Sequence, residues 1–272
     1  MNSSWAETMV DMDIKEIHEI LLEIIGHVHR ILTNAGIHYY MLGGTMLGAV
    51  RHHGFIPWDD DIDIGVFRED FEKCKKILCE QLPARYRLRT IYNCEGIVGE
   101  IVKIEDSTTL VEEFGKNNKQ INIGINIDIF PLDRARNNKN TLFSRNRLIH
   151  IVSRLNKSRL MPDSKLTKFF SPILNFILMF ADKDFLLRVK RSLFPDNGQY
   201  IANYYGSWGV KEYIPEDVFG LGKLYQFENM FLYGVNKPDI YLQSLYGDYM
   251  IMPRENERHL HLVNAYKKSN CD

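Results

Sequence analysis

The chain has 272 residues, of which 45% are hydrophobic and 25% are charged, and its formal net charge is −1. These values are ordinary for a soluble globular protein with a sizeable core, and such a charge favours no class of partner by itself. The four cysteines show no metal-ligand spacing, and the first residues lack the pattern of a secretory signal, which favours a cytoplasmic protein with reduced thiols. The longest apolar run, residues 169–181, is too short for a membrane-spanning helix.

Hydrophobic periodicity predicts the elements of the first half. Apolar residues at helical spacing predict three helices, over residues 14–35, 45–51 and 68–80. Extended apolar segments predict strands over residues 37–42, 86–92 and 97–104, together with an aspartate-bearing strand near residue 61. Residues 121–130, INIGINIDIF, alternate strictly, so we expect one strand with its five isoleucines on one face.

The second half has a different character. Residues 134–168 carry ten basic residues and a single acid, Asp163. We predict helices over residues 142–160 and 166–187, around Tyr241, and over residues 255–266. The fold class is therefore α+β, with a mixed β-sheet, flanking helices and a helix-rich C-terminal half. We expect a catalytic core over residues 1–134 and a helical region over residues 135–272 that completes the site and contacts the acceptor.

Four aspartates, Asp59, Asp60, Asp61 and Asp63, interrupt an apolar segment. Alternate residues of a strand share a face, so Asp61 and Asp63 project together while the neighbouring isoleucines face the core. Adjacent carboxylates repel each other unless a cation lies between them, which indicates Mg²⁺, with Mn²⁺ as the alternative. Asp59 has the same parity and is a candidate accessory ligand. Asp60 has the opposite parity, so we expect it to point away and to be structural.

A third acid is expected from a neighbouring strand, and Asp128 is the charged residue on the polar face of INIGINIDIF. It could bridge metal ions or take the proton from an attacking hydroxyl. The alternative is a surface aspartate on an edge strand. Asp133 follows Pro131 and is expected to cap a turn.

Gly43, Gly44 and Thr45 lie between a predicted strand and a predicted helix. Glycines there allow backbone N–H groups to face an anion, although a plain tight turn is the alternative. Their place upstream of two metal-binding carboxylates predicts phosphoryl or nucleotidyl transfer. Arg51 and Lys103 are candidate phosphate contacts, the alternative being solvated charges.

Four segments carry a resemblance to a known family: GGTMLGAVRHHGFIPWDDDIDIG (43–65), VKIEDSTTL (102–110), IDIFPLD (127–133) and YGDYMIMPRENERHLH (246–261). Together they resemble the LicD-type phosphocholine transferases, a branch of the nucleotidyltransferase superfamily that is related to fukutin-type transferases. The resemblance implies a nucleotidyltransferase-like sheet. It also implies transfer of a phospho-alcohol, most simply phosphocholine, from a CDP-activated donor to a hydroxyl of a glycan or lipopolysaccharide precursor, with release of CMP.

The same resemblance implies roles for particular residues. Gly44 and Thr45 would bind donor phosphates, and Asp61 and Asp63 would bind magnesium. Asp128 stands where a third acid is expected. Two residues of the last segment, Arg258 and His261, are three apart and would turn towards the site from one helical face.

Other functions stay open at this point. A nucleotidyltransferase would join the nucleoside monophosphate to a small acceptor, and a non-catalytic module would bind metal and nucleotide without releasing CMP. A phosphatase with an aspartyl nucleophile leaves the Gly-Gly-Thr segment unexplained. The basic segment is either a solvated face or a contact to an anionic acceptor or lipid surface, so residues 134–181 are a candidate peripheral contact with the inner face of a membrane. Nucleic acid is not favoured, because aromatic residues do not alternate with the basic ones.

Overall fold

The computed structural model describes residues 9–90, 92–94, 97, 100–114, 120–135, 198–254 and 264–268. Within these ranges the fold is α+β, with mixed sheets and flanking helices, as the sequence predicts. The predicted helices over residues 142–160 and 166–187, and the predicted membrane contact of residues 134–181, lie almost wholly outside the described residues. Two cysteines in the described ranges, Cys74 and Cys79, are free thiols.

The α-helices of the described residues are α1 (Ile14–Asn34), α2 (Gly43–His52), α3 (Arg68–Gln81), α4 (Glu216–Phe219) and α5 (Pro238–Tyr246). A 3₁₀ turn covers Gly209–Glu212. α1 begins with a capping box: the Asp13 carboxylate accepts from the N–H of Glu16, and the Glu16 carboxylate accepts from the N–H of Asp13. It ends before Gly36, whose φ of +66° suits glycine. The helices predicted over the first 81 residues and around Tyr241 are therefore confirmed.

The strands are β1 (Met9–Asp11), β2 (Tyr39–Met41), β3 (Asp63–Phe67), β4 (Tyr86–Arg89), β5 (Val102–Asp106), β6 (Thr109–Phe114), β7 (Gln120–Ile123), β8 (Asn126–Ala135), β9 (Tyr200–Ala202), β10 (Tyr213–Pro215), β11 (Lys223–Phe227), β12 (Met230–Gly234) and β13 (Asn264–Lys268). Among the described residues, the largest sheet has seven strands. Its central strand, β8, is parallel to β3 and antiparallel to β5 and β9. A four-stranded sheet has the order β1-β13-β6-β7, and β11 and β12 form a hairpin.

One face of the seven-stranded sheet is apolar and packs on α1 and α3. Ile62, Ile64 and Val66 are fully buried there, together with Ile127 and Ile129 of β8. Alternation along both strands then directs the intervening residues to the opposite face. The apolar face therefore fixes which side of the sheet can carry the aspartates.

The prediction of a single strand over residues 121–130 is wrong. β7 ends at Ile123 and β8 begins at Asn126, and the two strands belong to different sheets. The chain turns at Gly124, where a Cβ atom would collide with the carbonyl of Asp106. The N–H of Gly124 donates to the Glu105 carboxylate (3.1 Å), so this break in the ladder is satisfied by a side chain.

Two further predictions are corrected at the ends of elements. β8 continues through Pro131, so Asp133 caps no turn; it is buried and accepts hydrogen bonds from Arg68 at 2.6 and 2.9 Å. The last residues of the helix predicted over 255–266 are instead strand β13, because they pair with β1 and β6. Residues 255–263 lie outside the described ranges.

Side chains from both sides of residue 134 share one hydrophobic cluster. Ile24 and Leu32 of α1 belong to it, and so do Phe227, Leu232 and Leu242. The division into residues 1–134 and 135–272 stays a prediction. No helix in the described ranges is both long enough and apolar enough to span a membrane.

Candidate active site

Three charged residues form a row across neighbouring strands. Asp63 is the first residue of β3, and the parallel register places it opposite Asp128 of β8. Lys103 of β5 lies opposite Asp128 from the antiparallel side. Because residues in register on adjacent strands point to the same face, Asp63, Asp128 and Lys103 share the face opposite the buried isoleucines. The sheet thus brings together the predicted metal-binding acid, the predicted third acid and a predicted phosphate contact.

Asp61 lies just before the regular strand and still acts on Asp63. The Asp128 N–H donates to the carbonyl of Ile62 (2.9 Å), which extends the ladder towards Asp61. The pKa of the Asp63 carboxyl is raised well above its ordinary value, chiefly by burial and then by the negative charges of Asp61 and Asp128. Lys103 offsets part of this rise.

The carboxylates of the three consecutive aspartates lie closer together than alternation along a strand predicts. Carboxylate oxygens of Asp59, Asp60 and Asp61 all lie within 4.8 Å of one another. The prediction that Asp60 points away from the cluster is therefore wrong, because residues 59–62 precede β3 and strand alternation does not apply to them. The backbone of this segment is held by His18 of α1, whose Nε2 lies 2.7 Å from the Asp59 carbonyl oxygen.

Gly43, Gly44 and Thr45 are the first residues of α2 itself, not a turn before it. The N-cap residue is Leu42, which has no polar side chain to cap the helix. The Gly43 N–H donates to the Tyr241 hydroxyl (3.0 Å), and the Met46 N–H makes the first helical bond, to Leu42. The N–H groups of Gly44 and Thr45 thus have no partner within the helix, and they lie at its positive end.

The head of α2 lies directly against the carboxylates. A Cβ atom on Gly44 would stand 2.6 Å from Oδ2 of Asp59, and one on Gly43 would stand 3.7 Å from Oδ2 of Asp63. Gly43 also has a φ of +49°, which favours glycine. These carboxylates would repel an anionic ligand at this helix end. Binding of such a ligand therefore requires a cation between it and the carboxylates.

Thr45 has a different partner from the one that the resemblance implies. Its side chain is buried, and its Oγ1 accepts a hydrogen bond from the N–H of Asp63 at 2.8 Å. Thr45 therefore fixes the backbone of the first residue of β3. A role for Thr45 in binding phosphate stays a prediction.

Lys103 and Arg51 have protein partners. Nζ of Lys103 lies 2.6 Å from Oδ1 of Asp128 and 3.0 Å from Oδ1 of Asn126. Arg51 stands in the last turn of α2, about 12 Å along the helix from Gly43, and its Nη1 donates to the carbonyl of Tyr249 (2.8 Å). The structure thus brings Lys103 to the acids. Arg51 lies close enough to Tyr246 for the two groups to interact electrostatically, and its contact with phosphate stays a prediction. Arg258 and His261 lie outside the described residues.

Two tyrosines of α5 complete the wall of the site, and sequence reasoning missed their roles. The Tyr241 hydroxyl binds the head of α2, and burial raises its pKa. The pKa of Tyr246 is also raised, by burial and then by the charges of Asp59 and Asp63. Tyr246 belongs to the matched segment YGDYM, which was a signal, whereas nothing local in the sequence marks Tyr241.

The donor set of the site fits a hard divalent cation. Among the residues that the structure describes, the clustered ligand atoms are carboxylate oxygens, which Mg²⁺ and Mn²⁺ prefer. Burial raises the pKa of Asp63 most, and the like charges of Asp61 and Asp128 raise it further. A cation between these carboxylates would remove that repulsion.

Paired carboxylates on adjacent strands, facing the head of a helix, are an arrangement suited to metal-dependent phosphoryl or nucleotidyl transfer. Residues 36–155 match the family model described as LicD/FKTN/FKRP, nucleotidyltransferase domain. This part of the chain is therefore similar to the nucleotidyltransferase domain of the LicD family.

Two kinds of relative accompany this match. The chain is 27% identical over 269 residues to the lipopolysaccharide cholinephosphotransferase LicD of Haemophilus influenzae, covering 95% of this chain and 99% of that protein. It is 42% identical over 57 residues to the ribitol 5-phosphate transferase FKRP of mouse and of human, covering 21% of this chain and 12% of those proteins.

Proposed function

We propose that the protein is a transferase that moves a phospho-alcohol from a nucleotide-activated donor to a hydroxyl of an acceptor. The observation that carries this proposal is the register of Asp63 and Asp128 beside the head of α2. The names of the relatives support the same class, since one transfers phosphocholine and the other ribitol 5-phosphate. The finer proposal is a CDP-choline donor, a glycan or lipopolysaccharide-precursor acceptor, and CMP as the leaving product.

In this proposal Asp61, Asp63 and Asp128 hold Mg²⁺ or Mn²⁺, with Asp59 as an accessory ligand. When bound, the cation neutralises the phosphate oxygens and the charge that develops on the departing CMP. Thr45 keeps Asp63 in place through its hydrogen bond to the backbone. The N–H groups of Gly44 and Thr45 donate to phosphate oxygens at the positive end of α2.

Asp128 also orients the attacking hydroxyl or takes its proton. It is the acid of the row that lies beside a cation, because the ammonium of Lys103 binds its Oδ1. This contact fixes the orientation of the carboxylate, and an oriented base is what proton transfer requires. Lys103 thus serves the site through Asp128, and its contact with a phosphate oxygen stays a prediction.

The first test is a panel of CDP-choline, CDP-ethanolamine, CDP-ribitol and CDP-glycerol. A donor that binds the folded protein raises its melting temperature, and we expect this rise to depend on Mg²⁺. Release of CMP in the presence of acceptor then supports phospho-alcohol transfer. Nucleotide joined to the acceptor supports nucleotidyl transfer instead, and binding without CMP release under every acceptor condition supports a non-catalytic module.

The second test uses Asp61→Asn and Asp63→Asn. Each substitution removes a negative charge at almost unchanged volume, so we expect the fold to persist and CMP release to fall below detection. Asp217→Asn is the matched control, because Asp217 is an exposed residue paired with Lys237. Full activity of both site variants would refute the proposed metal pair.

A further inference from the structure

Two tyrosines of α5 reach the head of α2. The Tyr241 hydroxyl accepts from the N–H of Gly43 at 3.0 Å. The Tyr246 hydroxyl lies 3.8 Å from the position that a Cβ atom on Gly43 would occupy, and Oδ2 of Asp63 lies 3.7 Å from the same position. A phenol hydroxyl and a half-buried carboxylate therefore flank the first residue of α2.

The Tyr246 hydroxyl differs from its neighbours in what it binds. The Tyr249 hydroxyl donates to the Asp239 carboxylate, and the Tyr241 hydroxyl is taken by Gly43. Within the residues that the structure describes, the Tyr246 hydroxyl has no hydrogen-bond partner. A phenol is protonated at neutral pH, so this hydroxyl can donate a hydrogen bond.

The ring of Tyr246 is held in place. It packs edge-to-face on Trp208, with ring centroids 4.7 Å apart and planes at 73°. Tyr246 is the last residue of α5, and Gly247 ends the helix with a φ of +72° and an N–H bond to the carbonyl of Gln243. A donor that is fixed before the ligand arrives loses little conformational entropy on binding.

We propose that the Tyr246 hydroxyl donates a hydrogen bond to a phosphate oxygen of the donor at the head of α2. Tyr246 is then a substrate-binding residue, supplied by the C-terminal half to a site whose acids come from the first half. An anionic phosphate oxygen is the partner that such a hydroxyl binds most strongly, because hydrogen bonds to charged groups are about twice as strong as neutral ones. The inference deepens the proposed function and rests on it.

The test compares Tyr246→Phe with the wild type. The substitution removes one oxygen and keeps the ring packing on Trp208, so the melting temperature without ligand should stay close to that of the wild type. The probe is inorganic pyrophosphate with Mg²⁺, measured by isothermal titration calorimetry. We expect Kd to rise roughly 10- to 100-fold, as for the loss of a hydrogen bond to a charged group. Tyr225→Phe is the matched control, since it removes a phenol hydroxyl that binds the Val235 carbonyl in the β11–β12 hairpin.

The outcomes separate this inference from the proposed function. Weaker pyrophosphate binding by Tyr246→Phe alone supports the inference, even if no CDP-alcohol of the panel is turned over. Unchanged pyrophosphate binding and unchanged CMP release from CDP-choline overturn the inference and leave the proposed function standing. A wild type that binds no pyrophosphate also overturns the inference, because the head of α2 then takes no phosphate.

Discussion

At the scale of single residues, Gly44 shows how little room the acids leave at the head of α2. A helix normally favours alanine over glycine by about 1 kcal/mol. At this position, however, a Cβ atom would stand 2.6 Å from Oδ2 of Asp59. The glycine therefore keeps a carboxylate in contact with the helix end, at a cost in intrinsic helix propensity.

We predict that Gly44→Ala displaces Asp59 and weakens binding of Mg²⁺-pyrophosphate by at least about tenfold, because the helix end and the acids can no longer approach. Gly26→Ala is the control: it lies within α1, its new Cβ atom would meet only Met230 at 3.7 Å, and it should stabilise the protein by about 0.5–1 kcal/mol. Calorimetry and urea unfolding of both variants measure these effects. Wild-type binding by Gly44→Ala would contradict the prediction.

The sequence predicts the residues of the acidic row better than their partners. Asp63 and Asp128 stand out because each is a charge within an alternating apolar segment, which is a local pattern. The hydrogen bond from Asp63 to Thr45 spans 18 residues, and no pattern records it. Asp60 is misjudged because parity holds only inside a regular strand, and β3 begins three residues later.

At the scale of elements, the break between β7 and β8 depends on one glycine. The carbonyl of Asp106 occupies the space that a side chain at position 124 would need. Thr109 supports the same bend, because its Oγ1 accepts from the N–H of Ile125 at 2.8 Å. The bend allows β8 to enter the large sheet in register with β3.

We predict that Gly124→Ala destabilises the protein by about 1–3 kcal/mol or more, because a backbone carbonyl cannot rotate away as a side chain can. The measurement is the free energy of unfolding in urea, with Gly26→Ala again as the control. An unchanged midpoint of unfolding for Gly124→Ala would show that the backbone at Asp106 yields easily.

Elements defined by local signals were predictable from the sequence, and those defined by distant contacts were not. α1 carries both an amphipathic period and a capping box in its own residues. INIGINIDIF carries a perfect alternation, yet its bend is set by Glu105 and Thr109, which lie outside the segment. Alternation reports which side chains are buried and does not report which neighbour the backbone pairs with.

At the scale of the whole molecule, a buried carboxylate links stability to pH. Glu212 lies beside α5, accepts from the N–H of Trp208 at 2.9 Å, and is 5% exposed. Burial raises its pKa from 4.5 to about 7. Between these values the unfolded chain has lost the proton and the folded protein keeps it, so stability falls as pH rises through this window.

We predict that Glu212→Gln, which stays neutral, gains stability relative to the wild type as the pH rises. From pH 4.5 to pH 8, the difference in unfolding free energy between the two proteins should shift in favour of the variant by up to about 3 kcal/mol. Urea unfolding of both proteins at pH 4.5, 6 and 8 measures this difference. A difference that does not vary with pH would show that Glu212 does not titrate in this window.

The fold class could be predicted from the whole sequence, whereas the contribution of the C-terminal half to the site could not. The helix around Tyr241 is visible from its periodicity. The Tyr241 hydroxyl, however, binds the N–H of Gly43, which lies 198 residues earlier. This contact forms only in the folded protein. Contacts across such separations leave no trace in a sequence window.

The bond between Gly43 and Tyr241 also has a consequence for biosynthesis. A ribosome releases the head of α2 and all four aspartates long before it adds Tyr241, which follows Gly43 by 198 residues. Until then the first N–H of α2 lacks its partner, and the acids lack the wall that α5 provides. Assembly of this site therefore cannot be completed until α5 has been synthesised, however early the strands that carry the aspartates form.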